Sequence, residues 1–321
     1  MKSRLLSIIS LIVGAVLFIY LLRQSGTAEV LARVRALGAS FGLILAISAL
    51  RQLARTYAWL RCLSDDARRV GFWAVLRARL AGDALADLTA AGPMLGEPIK
   101  IAHLKGRLSL TELASSLAVE NLAYAVSAGL MVLAGALTLL TVFTVGDSVR
   151  TASLTALLLV MIMLLSVAAT LKQRWRIVSG LVAALFAFFH RRYEKLSRVQ
   201  ELESYVFDFY ARRRTDFVIV AACELTFHLA GIIEIYTTIF LLGFPVTWLT
   251  AFILEAVNRI INIVFAFVPA MVGVDEAGTG WLTNTLGLGL TAGVTLALVR
   301  KARMLVWIGL GLGLMLRHRG R

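Results

Sequence analysis

Apolar runs long enough to cross a bilayer recur along this chain from Leu5 to Leu316, and no polar stretch between them is long enough to fold as a soluble domain. A hydrocarbon slab about 30 Å thick takes about 20 apolar helical residues. Inside it only a backbone that satisfies its own N–H and C=O groups is stable. The runs predict crossings at Leu5–Leu22, Phe41–Leu60, within Thr111–Val145, Thr151–Leu171, Phe217–Leu242 and Leu290–Leu316. Of 321 residues, 59% are hydrophobic and 16% charged, whereas soluble domains average about 45–50% and about 25%. An ordinary cytosolic enzyme is therefore excluded. The expected fold is an all-α polytopic membrane protein, one transmembrane domain over 1–321, with about six crossings.

Thirty-three Lys and Arg against nineteen Asp and Glu give a net charge of +14. In a soluble protein this excess would suggest nucleic-acid binding; here it sits in loops, where it sets topology, and no nucleic-acid partner is expected. The densest basic stretch, 172–215, reads as a cytoplasmic linker, joined by 61–69, 100–107 and the RHRGR tail. The loops 243–247 and 285–289 carry no charge and read as the outer side. The segment Gln24–Gly38, with Arg33 and Arg35 against Glu29, runs against this rule. The first apolar run exceeds a signal-peptide core of about 7–15 residues, so an uncleaved anchor is expected, with both termini cytoplasmic. Ile177–Phe189 is too short to cross and reads as an interfacial or protein-packed helix. Cys62 and Cys223 lie far apart and form no metal-like spacing.

Two segments break the pattern. Residues 71–107 and 248–289 each begin with an apolar helix that carries charges, reach a Pro and Gly break, and continue through a polar stretch into a long hydrophobic helix. Trp73 aligns with Trp248 and Pro93 with Pro269, while Gly96 and Glu97 fall near Gly273 and Glu276. The chain thus repeats itself, over about 39–145 and about 216–316. Proline cannot continue the helical ladder, so both breaks free backbone groups at membrane depth, which are tolerated only in protein or beside a water-filled cavity. The flanking charges place the first segment on the basic side and the second on the uncharged side, which predicts two re-entrant helical hairpins in an inverted repeat, as in secondary transporters. Two Pro-kinked ordinary crossings are the plainer alternative.

Ionisable groups at bilayer depth need a partner, water or a function. Arg79, Asp83 and Asp87 form an i,i+4 stripe on the first hairpin, as Glu255 and Arg259 do on the second. Counted back from the prolines, Arg79 takes the place of Glu255 and Asp83 that of Arg259, so the signs are exchanged; the same holds for Glu120 and Arg300. Pairing across the repeat interface is one expectation, and such pairs either hold the bundle together or contact substrate. Arg51 and Arg55 have no acidic residue in their own helix, and read either as an anionic-headgroup site or as side chains snorkelling to the interface. Glu224, His228 and Glu234 read as satisfied polar contacts or a proton-coupling set. The GLGLG at 309–313 reads as a close helix contact. No catalytic or metal motif is present, so neither enzyme activity, metal nor cofactor is expected.

GPMLGEPIK with the following ENLA, and VPAMVGVDEAG with the following LALVRKARMLVWIGLGL, resemble the two signature regions of the lysylphosphatidylglycerol synthase transmembrane family, also called flippase-like membrane proteins. ELTFHLAGIIEIY and the GFPVT loop are similar to its single-domain branch. The resemblance implies a bacterial inner-membrane lipid translocator without synthase activity. It marks Pro93, Gly96, Glu97, Pro269, Gly273, Asp275, Glu276 and Arg300 as motif positions. With it, the expected substrate is a polar or anionic lipid (phospholipid, glycolipid or hopanoid-type), moved between leaflets by alternating access. Arg51 and Arg55 would attract the headgroup, with Glu97, Glu120, Glu276 and Arg300 in the site. Glu97 and Glu276 would bind cationic substrate parts, carry a proton or hydrogen-bond the broken backbone. The alternatives are a non-transporting membrane partner or a lipid-modifying enzyme subunit. A homo-oligomer or a lipid-biosynthesis enzyme would be a further partner.

Overall fold

The computed structural model describes residues 16–89, 92–177, 179–180, 196–265 and 268–319, and among them the chain is helical with no strand. The first four helices are α1 Thr27–Leu37, α2 Phe41–Cys62, α3 Phe72–Leu88 and α4 Pro93–Leu104. The next four are α5 Leu110–Val142, α6 Asp147–Gln173, α7 Leu196–Arg212 and α8 Arg214–Leu241. The last three are α9 Trp248–Val264, α10 Val274–Thr285 and α11 Leu290–Arg319. Side-chain caps set two of the starts: Ser109 accepts from the Glu112 N–H at α5, and Thr247 accepts from the Thr250 N–H at α9.

Four helical stretches are long and apolar enough to span a membrane: Thr27–Cys62, which joins α1 to α2 through a short 3-10 turn, then α5, α6 and α8. The expected count of six is thus four by length and composition among the described residues. Most of the Leu5–Leu22 run and of Ile177–Phe189 lies outside those residues. The Leu290–Leu316 run lies on α11, a helix of 30 residues, but Arg300, Lys301 and Arg303 interrupt its apolar character. The segment Gln24–Gly38 is mostly the helix α1.

The two unusual segments each form a pair of short helices. Both first members, α3 and α9, have 17 residues, and both second members, α4 and α10, have 12. At 1.5 Å per residue these are about 26 Å and about 18 Å long, each short of the slab thickness. The first break turns at Gly92, φ 42°, with Pro93 at the opening position of α4, where its missing N–H costs nothing. The second is more contorted. Ala270 and Met271 both take left-handed backbone, φ 51° and 48°, a conformation that costs a residue with a Cβ about 1–2 kcal/mol. Lys301 of α11 holds that turn, donating to the Met271 carbonyl at 3.2 Å and forming an ion pair with Glu276 at 2.9 Å.

Two apolar cores flank these breaks. One gathers Trp59, Leu63, Val75, Leu104, Leu113 and Leu117 around α3 and α4; the other gathers Leu139, Ile239, Ile253, Leu254, Leu282 and Leu296 around α9 and α10. Backbones meet closely where glycine allows. A Cβ on Gly311 of α11 would lie 2.2 Å from the Leu80 carbonyl oxygen of α3. This close contact agrees with the reading of GLGLG, but the middle glycine alone makes it.

The molecule's polarity is inverted relative to a water-soluble protein. Glu120 and Glu276 have no exposed surface and Arg79 has 1%, while Leu158, Leu159 and Leu165 of α6 are each more than 60% exposed. No residue of α6 is buried. Such a surface is stable only against hydrocarbon, which places the chain in a membrane with its charges turned inward.

Candidate functional site

Part of the buried charge lines a chamber of about 420 Å³. Its wall takes residues from α2, α3, α5, α8, α9, α10 and α11, and both helix breaks reach it, through Gly92 on one side and Val268, Ala270 and Met271 on the other. Six cations line it (Arg51, Arg55, Arg259, Arg300, Lys301 and Arg303) against four carboxylates (Asp87, Glu234, Glu255 and Asp275).

Arg51 and Arg55 lie one turn apart on α2 and divide the charges into two networks. Arg51 donates to Glu234 of α8 at 3.0 Å and to Glu255 of α9 at 3.2 Å. Glu255 also takes a hydrogen bond from Arg259, and Glu234 one from Arg303. Arg55 turns to the other side, where its Nε and Nη2 donate to one oxygen of Glu120 at 2.9 and 2.6 Å. Arg79 reaches the same oxygen at 3.1 Å. From there the network runs through Asp83, 3.6 Å from Arg79 and 2.9 Å from Lys100, to Glu97, 3.0 Å from Lys100. Arg51 and Arg55, without an acid in their own helix, are thus neutralised from α5, α8 and α9 and turn inward.

The expected pairing of Glu120 with Arg300 does not occur. Glu120 is taken by Arg55 and Arg79, whereas Arg300 donates to Asp275 and Thr279, both at 3.1 Å. These two residues find their partners within their own halves, while Arg51 of α2 crosses to Glu234 and Glu255 in the other. Exchanged signs in the sequence therefore mark local pairs.

Glu276 accepts from the Gly273 N–H at 2.8 Å, and so satisfies an open donor at the start of α10. Glu97, its counterpart, is held by Lys100. Asp87 faces the chamber and forms no ion pair among the described residues. Ser127 links the α8 acid and histidine: its hydroxyl lies 3.3 Å from Glu224 and 3.1 Å from His228 Nε2.

Sequence reasoning missed several wall residues. Phe227 carries three guanidinium groups around its ring, with Arg51, Arg259 and Arg55 at 4.5, 4.9 and 5.5 Å from the centroid. Tyr124 stacks under Arg55 at 4.0 Å. These cation–π contacts hold the cations where water is scarce. Lys301 and Arg303 were also missed, although both neighbour Arg300 at positions unusual for a membrane helix. Four donor nitrogens in the wall have no acceptor: Nε of Arg51, Arg259 and Arg303, and Nη2 of Arg300. Buried donors are nearly always answered, so these four are exceptions within the wall.

Apolar spanning helices wrapped around buried charges define a polytopic α-helical membrane protein. The chain belongs to the lysylphosphatidylglycerol synthase transmembrane-region family, whose model matches residues 7–313, and is thus a membrane protein related to lipid handling. No curated protein and no solved structure matched the chain.

Proposed function

We propose that the chain translocates a polar or anionic lipid between the leaflets of the bacterial inner membrane, with the headgroup in the chamber and the acyl chains in the bilayer. On this reading α3–α4 and α9–α10 are re-entrant hairpins of an inverted repeat, alternating access exposes the chamber to each leaflet in turn, and both termini are cytoplasmic. The protein is a transporter rather than an enzyme.

The observation that carries the reading is the chamber itself. Five guanidinium groups and a lysine in one wall, with four guanidinium donors unanswered, suit a phosphate-bearing headgroup. The equal lengths of the two broken pairs, and the contribution of both breaks to one wall, support the repeat. An entering oxyanion would compete with Glu234 for Arg51 and Arg303.

The purified chain in liposomes tests this. With fluorescent phosphatidylglycerol in both leaflets, a quencher outside should reach the whole pool when the protein is present and half of it when it is absent. Arg51→Gln with Arg303→Gln should abolish the difference in protein that still melts cooperatively. Full activity in that variant would overturn the chamber as the headgroup's route, and none in the native chain across phospholipid and glycolipid probes would favour a non-transporting partner.

A further inference from the structure

A second basic pocket lies away from the chamber, where the end of α2, the end of α7 and the start of α8 converge. It is a concavity of about 500 Å³ whose wall holds five arginines and only two acids, Asp65 and Asp216, a formal excess of three positive charges. Asp216 is already saturated. It accepts from Arg61, from Arg68 at 2.5 Å and from Arg213 at 2.8 Å, so one carboxylate answers three guanidinium groups.

Part of this charge has a structural duty. Arg213 donates to the Arg61 and Leu63 carbonyls at 2.9 and 2.7 Å and so caps the end of α2. The rest does not. Arg214 is exposed and unpaired among the described residues, Arg212 is 76% exposed with its nearest acid 3.6 Å away, and the Nε groups of Arg61 and Arg68 have no acceptor. The start of α8 adds to this, since no side chain caps it and a helix N-terminus favours an anion. Tyr205 on the wall stays a neutral hydroxyl: burial, and then the Glu112 carboxylate, push its phenol above the ordinary value.

We propose that this pocket binds one phosphate group at the membrane face, independently of the chamber. The phosphate belongs to an anionic lipid headgroup or to a free phosphate; the depth suits a headgroup. Phe217 and Val218, just beyond the pocket on α8, are 43% and 63% exposed and apolar, so the hydrocarbon boundary begins within a turn of Arg214. Basic pockets at the ends of spanning helices recognise anionic lipids in this way.

The test uses the purified full chain in detergent with two probes, inorganic phosphate followed by equilibrium dialysis, and micelles doped with phosphatidic acid followed by native mass spectrometry, with diacylglycerol of the same acyl chains as the phosphate-free control. Arg212→Gln with Arg214→Gln, two exposed positions, should weaken binding about tenfold or more and leave the melting curve unchanged. Saturable binding of phosphatidic acid alone identifies a lipid source, and binding of inorganic phosphate a soluble one; either supports the pocket if the double variant loses it. Equal retention of phosphatidic acid and diacylglycerol together with no phosphate binding, or binding that survives in the double variant, overturns the proposal.

Discussion

Arg55 and Glu120 meet through two hydrogen bonds on a single carboxylate oxygen, and Arg79 adds a third to that same atom. Glu120 has no exposed surface, and its second oxygen has no partner. One acid thus joins two guanidinium groups drawn from different helices, with Asp83 and Glu224 as their more distant counter-charges at 3.6 and 3.9 Å.

Removing that charge should cost more than any other single change nearby. Glu120→Gln leaves Arg55 and Arg79 facing each other at low dielectric, and breaking a buried pair costs about 3–5 kcal/mol. Thermal unfolding of the detergent-solubilised variant should show a large loss of stability, partly recovered when Arg79→Met is added.

The Glu120 cluster and the Arg300 cluster should be energetically separable. Arg300 and Asp275 are in contact, so a double-mutant cycle of Arg300→Gln with Asp275→Asn should give a coupling of about 0.5–3 kcal/mol. The same cycle between Arg300 and Glu120 should give a smaller value, and a charge swap between those two should rescue neither folding nor transport. A rescue would place these residues together in another state of the molecule.

At the GLGLG stretch only one glycine should matter. Gly311→Ala drives a methyl group into the Leu80 carbonyl, backbone that cannot yield cheaply, and overpacking of this kind costs about 1–3 kcal/mol. Gly309 and Gly313 have open space around their Cβ positions, so alanine there should be neutral or stabilising by up to about 1 kcal/mol. Melting temperatures of the three single variants check the order.

The second break should relax when its left-handed residues lose their Cβ. Ala270→Gly removes about 1–2 kcal/mol of backbone strain and returns about 0.5–1 kcal/mol as lost chain entropy. A modest gain in stability is the expected net result, measurable by the same unfolding assay.

Helical spacing made several features legible in the sequence. Arg79 with Asp83, and Glu255 with Arg259, pair as their i,i+4 positions require, and both breaks fall at their prolines. Partners on other helices were not legible, because they depend on how each helix is rotated about its axis and where it crosses its neighbours. Arg51 shows this: nothing within α2 announces Glu234 and Glu255, which lie 183 and 204 residues away along the chain. Phe227 escaped notice for another reason, since an aromatic residue in an apolar helix looks the same whether it faces lipid or cations. The expected Glu120–Arg300 bridge failed because symmetry of sequence position does not imply contact across a symmetry axis.

The sixth helix shares little with this interior. It is 27 residues long, about 40 Å, and buries none of them, so the bilayer rather than the protein is its neighbour on most sides. A slab about 30 Å deep forces such a rod to lean or to project. Changes in membrane thickness will therefore be felt first along α6, at the rim of the molecule, while the ionic centre stays insulated from them by its own protein walls.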